Sequence, residues 1–388
     1  MRPARARLRQ PAGHGTPAVP GGVARLRRGV ARPSQGGRFA VLREDLRGYA
    51  WASPWFVGFV CLTVGPLVFA LVISLTNWNG ISDLGPLFGI GAEAGAAGAG
   101  PPAVEGPRWV GLANYRDAFV PDMEFPQALW LDDFYRSLVN TAIYAVGSVV
   151  LVLSAALGLA LLLNQKLKGI SVFRTIFFMP AMVSGVATMV MWRWVYNAEY
   201  GLLNTALRRL YAAWNWTAAQ AAGAGLDLGP IDMNLVPGWI ESVHWALPSL
   251  IFMSVWGAGS AMMIFLAGLQ NIPEHLYEAA SIDGAGRWRK FLHITLPQLS
   301  PTIFFNLVMG IIGSFQVFAQ AYLLPSNPGG PANATLVYVL HLYQKAFGEN
   351  EMGYACALGW ILFAVILGVT LGLVLSSRRW VYYEGGAA

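Results

Sequence analysis

Six stretches of this chain, about residues 54–75, 141–163, 172–195, 247–269, 300–322 and 354–375, are mostly apolar. A helix needs about 20 such residues to cross a hydrocarbon layer roughly 30 Å thick, and in lipid every backbone N–H and C=O must be satisfied within the segment. The chain is therefore expected to fold as an all-helical integral membrane protein with six transmembrane helices. Composition agrees. Hydrophobic residues make up 55% and charged residues 12%, against about 25% charged in soluble domains. Most of the surface must face lipid.

The formal charge of +6 would suit a nucleic-acid partner if the basic residues formed one face. Instead they concentrate at the start of the chain and in short turns, so no nucleic-acid binding is expected. Residues 1–47 hold Arg2, Arg5, Arg7, Arg9, Arg25, Arg27, Arg28, Arg32, Arg38, Arg43 and Arg47 among Gly and Pro, with no acid before Glu44. This reads as a basic disordered tail, either solvated or resting on anionic lipid. Gly and Pro spoil a transit-peptide helix, and no signal-peptide core comes after it. Residues 48–388 then form the transmembrane domain.

Lys166, Lys168 and Arg174 fall between the second and third spans, Arg287, Arg289 and Lys290 between the fourth and fifth, and Arg378 and Arg379 after the sixth. With the tail they all lie on one side, which places both termini in the cytoplasm. The opposite loops, 76–140 and 196–246, are longer. Gly- and Ala-rich runs at 89–102 and 218–229 read as flexible insertions. Trp51, Trp55, Trp78, Trp192, Trp194, Tyr196, Trp380, Tyr382 and Tyr383 cluster near span ends and read as headgroup-level anchors. Cys61 and Cys356 sit in or beside apolar runs and read as packing residues.

The turn 271–297, NIPEHLYEAASIDGAGRWRKFLHITLP, carries the most information. Pro273 suits a first helical turn, Glu274 complements its positive end, and Gly284 can end the helix in a left-handed conformation. Leu276, Ala279, Ala280 and Asp283 recur at helical spacing, giving an apolar side with small residues. A short helix outside the membrane, with the form of a docking element, is expected.

These residues resemble the EAA loop of binding-protein-dependent ABC importer permeases: Glu278, Ala279, Ala280, Asp283, Gly284, Ala285, then Ile294, Leu296 and Pro297. A further resemblance to the carbohydrate branch, with its maltose and glycerol-phosphate type permeases, extends from Trp51 onward. It rests on LTNWNG at 75–80, VGLANY at 110–115, FRTIFFMP at 173–180, YGLLN at 200–204, IFLAGLQNIP at 264–273, GSFQVF at 313–318 and GYACALGWILF at 353–363. The tail and the two outer insertions depart from that pattern.

The resemblance implies the type I importer permease fold, with core spans within 141–375, the first span packed outside as support, and 271–297 as the loop that couples to an ATPase. Glu278 would make the polar contact and Gly284 the backbone joint. It also implies a partner set: a second permease subunit in a heterodimer, two ATP-binding-cassette ATPase subunits and an extracytoplasmic solute-binding protein. The place would be a bacterial inner membrane and the cargo a sugar or sugar-like solute.

Polar residues within spans are costly unless they face a cavity or another helix. Ser260, Ser314, Gln316 and Gln320 are accordingly candidates for a solute path, alongside Phe318 and Tyr322, or equally for helix–helix hydrogen bonding. No G-x-x-x-x-G-K-S/T phosphate loop occurs, so energy has to come from a partner. H-E-x-x-H and G-x-S-x-G are absent, and His14, His244, His275, His293 and His341 lack ligand spacing. No catalytic residue, cofactor or metal is expected. An ion-gradient-driven secondary transporter would predict buried acids or inverted repeats at mid-membrane, and a membrane scaffold would make the 271–297 loop dispensable.

Overall fold

The structure, a computed structural model, describes residues 48–88, 106–120, 132–165, 168–223, 226, 228–232 and 235–382. The basic tail, residues 89–105, Lys166 and residues 383–388 lie outside the described residues. No β-strand occurs among those described, only an isolated bridge between Thr76 and Trp109. Five helical segments are long and apolar enough to cross a membrane: Gly48–Ile73 (α1), Asp133–Leu163 (α3), Val243–Gln270 (α7), Arg287–Leu323 and Met352–Ser377 (α12).

The third apolar run departs from expectation. Instead of one straight span it forms Ile170–Met182 (α4) and Gly185–Val195 (α5), bent by 98°. Pro180 interrupts the donor ladder and Ser184 is extended at φ −53°, ψ 135°, so the helix cannot run through. Counted as one broken span, the pair preserves six crossings.

The chain divides into two compact units at Gly65. In the first, nearly every side chain of residues 48–65 is exposed, and Trp55 stacks on Phe59 at 5.5 Å. In the second, α3 is central and packs against α7 and the helix Leu296–Phe315 (α9). Its start is fixed by Asp132, whose carboxylate accepts the Phe134 N–H at 2.7 Å, satisfying one of the orphan donors of the first turn.

Close packing relies on small residues, which let helix backbones approach without a hydrophobic driving force between them. Ala156 and Ala160 of α3 meet Ala258, Met262 and Phe265 of α7 in one buried cluster. A Cβ on Gly259 would collide with the Phe177 carbonyl of α4. A second cluster joins Tyr144, Leu250, Val317 and Leu340, and a third joins Phe134, Phe315, Tyr338 and Leu358. The helix Tyr338–Tyr343 (α11) is locked over the start of α3. Thr141 Oγ1 accepts from the Tyr338 N–H at 2.8 Å, and Tyr338 donates its hydroxyl to the Leu358 carbonyl at 3.0 Å.

Two further readings are corrected. Trp192 and Tyr196 are buried, and Tyr196 donates its hydroxyl to the Ser249 carbonyl at 2.8 Å, so they pack the core and do not anchor at the headgroups. The Ala-rich run from residue 218 does not begin a loop: Leu202–Gly223 is one 22-residue helix (α6), as the high helix propensity of Ala favours. Among the other short helices are Ala113–Phe119 (α2), Glu274–Ile282 (α8) and Ala319–Leu323 (α10).

Candidate functional site

Between α7 and α9 the chain turns back through α8, and the sequence explains both ends of that helix. Pro273 is its N-cap, at φ −62° and ψ 132°, one position before the first turn, and Glu274 opens that turn. At the other end Gly284 has φ +74°, a conformation costly for any residue with a Cβ. The Ala285 N–H donates to the Ala280 carbonyl at 2.8 Å and the Gly284 N–H to the Ser281 carbonyl at 3.1 Å. This pair of bonds is a Schellman closure, which satisfies the last orphan carbonyls.

α8 is tied to the segment that leads into α9. Lys290 Nζ donates to Ser281 Oγ at 2.6 Å, and the Tyr277 hydroxyl lies 2.9 Å from Thr295 Oγ1. Thr295 ends a π-turn, Phe291–Thr295, at the start of α9. Leu276, Tyr277 and Ile294 pack against the buried cluster of α3 and α7, so α8 is fixed to the ends of both spans it joins.

The inward face is therefore Leu276, Tyr277 and Ala280, while Glu278, Ala279, Asp283 and Gly284 are exposed. Ala280 and Ala285 are half-buried and line a groove of about 480 Å³ with Arg289, Lys290, His293 and Ile294. Pro297 is exposed in the first turn of α9. Sequence reasoning missed Ile282 and Trp288, which are 87% and 71% exposed. Large apolar side chains so placed, beside acidic and basic neighbours, make a surface suited to a protein partner.

The candidate path residues separate into two groups. Ser314 is buried and lines a small recess of about 170 Å³ with Tyr144, Ser148, Ser254, Gly310 and Gly313, between α3, α7 and α9. Ser314 and Ser254 bond to carbonyls of their own helices, at 2.8 and 2.5 Å. Gly310 and Gly313, spaced one turn apart in the fifth span, were the overlooked signal for this recess.

The second group sits where the fifth span breaks. α9 ends at Phe315, Gln316 is exposed at its C-cap, and Phe318 adopts φ −141°, ψ −60° before α10 begins. Phe318 stacks on Tyr322 at 5.2 Å, and Tyr343 approaches both rings, at 5.1 and 5.4 Å. Gln320 is half-buried on α10. Ser260 is exposed on α7 and does not line the recess.

Residues 129–382 match the family described as binding-protein-dependent transport system inner membrane component. The chain is 36% identical to the probable ABC transporter permease protein YesP of Bacillus subtilis, over 89% of this chain and 94% of YesP. It is 36% identical to the arabinooligosaccharides transport system permease protein AraP of the same organism, over 68% of this chain and 74% of AraP. Identity to the lactose transport system permease protein LacF of Rhizobium radiobacter is 32%, over 61% of this chain and 74% of LacF. Among solved structures, a bacterial ABC transporter that imports alginate aligns with a TM-score of 0.63 at 21% identity, covering 88% of this chain and 98% of the other. That likeness establishes the fold.

Proposed function

The chain belongs to the family of binding-protein-dependent transport system inner membrane components and is a multi-pass permease subunit of an ATP-binding-cassette importer; from that premise we propose how it couples and what it carries. The carrying observation is α8: a short helix, closed at its end by Gly284 and tied to α9 through Lys290 and Tyr277. A helix so fixed moves as a rigid body, and with it the inner ends of α7 and α9.

The docking partner is one of two ATPase subunits, which contact Glu278, Ala279, Asp283 and Gly284 and seat against Ile282 and Trp288. Closure of the ATPases on ATP carries α8, and α7 and α9 then swing the cavity from inward to outward facing. Both termini are cytoplasmic, and the tail 1–47 lies on that side. A second permease subunit supplies the other wall of the path, and an extracytoplasmic binding protein delivers solute to the open outer face. An alginate importer of the same fold has been solved with a pentasaccharide-bound periplasmic protein.

The cargo is a sugar or sugar-like solute. AraP and LacF carry saccharides by name, and sugars present hydroxyls with flat apolar faces that aromatic rings accept. Phe318, Tyr322 and Tyr343 supply such rings where the span breaks, the first two on the same segment as Gln316 and Gln320 and shortly after Ser314 in the chain.

Reconstituted uptake tests this reading. Transport should require ATP and the partner ATPases, and Glu278→Lys or Gly284→Asp should abolish it while folded protein is retained. Uptake driven by an ion gradient without ATP would overturn it in favour of a secondary transporter.

A further inference from the structure

At the end of the bundle opposite α8, a recess of about 570 Å³ opens between the turn after α1, α2, the start of α3 and the loop before α12. Its volume falls in the range of small-molecule sites, about 300–1,000 Å³. Among the described residues, four carboxylates line it, Asp117, Asp132, Asp133 and Glu351, against one cation, Lys345. Lys345 is already engaged, 2.6 Å from Glu349 and 3.6 Å from Glu351. Among the described residues, Asp117, Asp132 and Asp133 have no basic side chain within salt-bridge distance. Asp132 accepts the Phe134 N–H and Asp133 accepts from the Asn333 amide at 3.0 Å, each through one oxygen.

An independent observation points to a missing partner. His341 lines the same recess, is only 4% exposed, and its Nε2 has no hydrogen-bond partner. A buried ring nitrogen without a partner is costly, so something brought to the recess is expected to complete it.

We propose that this recess binds a cationic hydrogen-bond donor, a guanidinium or ammonium group arriving at the face opposite α8. A guanidinium has five N–H donors and no acceptor, which matches a wall with surplus acceptors; a sugar hydroxyl donates and accepts alike and would leave the charge unbalanced. Trp78 and Tyr354 line the recess too, and Lys345 Nζ lies 5.9 Å from the Tyr354 ring centroid, so an aromatic ring of this recess already accepts a cation.

The test is calorimetric titration of the full-length chain in lipid nanodiscs with agmatine, against urea as a neutral donor of similar planar shape. Agmatine should bind saturably and more weakly in high salt. Asp117→Asn should weaken it by about tenfold or more. Asp83→Asn, an exposed acid outside the recess, should leave it unchanged. If agmatine also weakens association with the solute-binding protein, the cation belongs to a side chain of that protein. If association is unchanged, the cation is a free solute. Absence of saturable agmatine binding, equal binding of urea, or unchanged affinity in both Asp117→Asn and Asp133→Asn overturns the proposal. The titration uses neither ATP nor uptake, so its failure leaves the permease assignment untouched.

Discussion

The Tyr277 hydroxyl lies 2.9 Å from Thr295 Oγ1, joining the middle of α8 to the π-turn that feeds α9. A bond of this kind contributes about 0.5–1.5 kcal/mol net. Tyr277→Phe should lower the thermal midpoint only slightly. ATP hydrolysis by the assembled transporter should persist while solute moved per ATP falls, as measured in proteoliposomes. Unchanged stoichiometry would show that motion reaches α9 without this link.

Gly284 sits at φ +74° with open space around the position a Cβ would take, so conformation and not crowding selects glycine. Gly284→Ala should cost about 1–2 kcal/mol through the left-handed backbone, and Gly284→Asn less, since Asn tolerates that region. Uptake should rank glycine, asparagine, alanine, with thermal melts in the same order.

At Gly259 the reason for glycine is the reverse, because a Cβ would strike the Phe177 carbonyl. Gly259→Ala should destabilise by about 1–3 kcal/mol through overpacking, read as a lower midpoint in detergent.

Gly313 lines the Ser314 recess and a Cβ there meets nothing within 4 Å. Gly313→Leu should fill the recess, leave the thermal midpoint near that of the parent and block uptake. Phe318→Ala and Tyr322→Ala should each raise the KM of uptake about tenfold, in line with loss of an aromatic contact of roughly 1–1.5 kcal/mol. If all three variants transport normally, the solute passes elsewhere.

Burial, reinforced by Lys345, holds the His341 pKa below its ordinary 6.5, although Asp133, Asp132 and Glu349 pull it upward. A base with a depressed folded-state pKa contributes fully above the unfolded value. The contribution is lost as pH falls, because the unfolded chain takes up the proton first. The thermal midpoint should be flat between about pH 7 and 8 and decline below about 6.5. His341→Gln should flatten that decline.

The helices and the closure of α8 were legible because their causes are local: uninterrupted hydropathy, and a glycine placed where a helix must stop. The 98° bend at Val183 was not, since the run from Val172 to Val195 is mostly apolar on both sides of it and only Pro180 and Ser184 mark the break. Trp192 and Tyr196 were misplaced because an aromatic near a span end reads the same whether it faces headgroups or a neighbouring helix. The acidic recess was invisible to any local pattern: Asp117, Asp132 and His341 come from three separate stretches and meet only after the bundle closes.

Gly353 donates its N–H to the Trp78 carbonyl at 2.9 Å and leaves no room for a side chain against the Thr76 carbonyl. The loop after the first span is thus completed by α12, which is synthesised after the other described spans. During biogenesis that loop must wait unpartnered until α12 leaves the insertion machinery. A chain stalled before residue 352 therefore leaves the Thr76–Trp78 edge unfinished, open to membrane quality-control proteases.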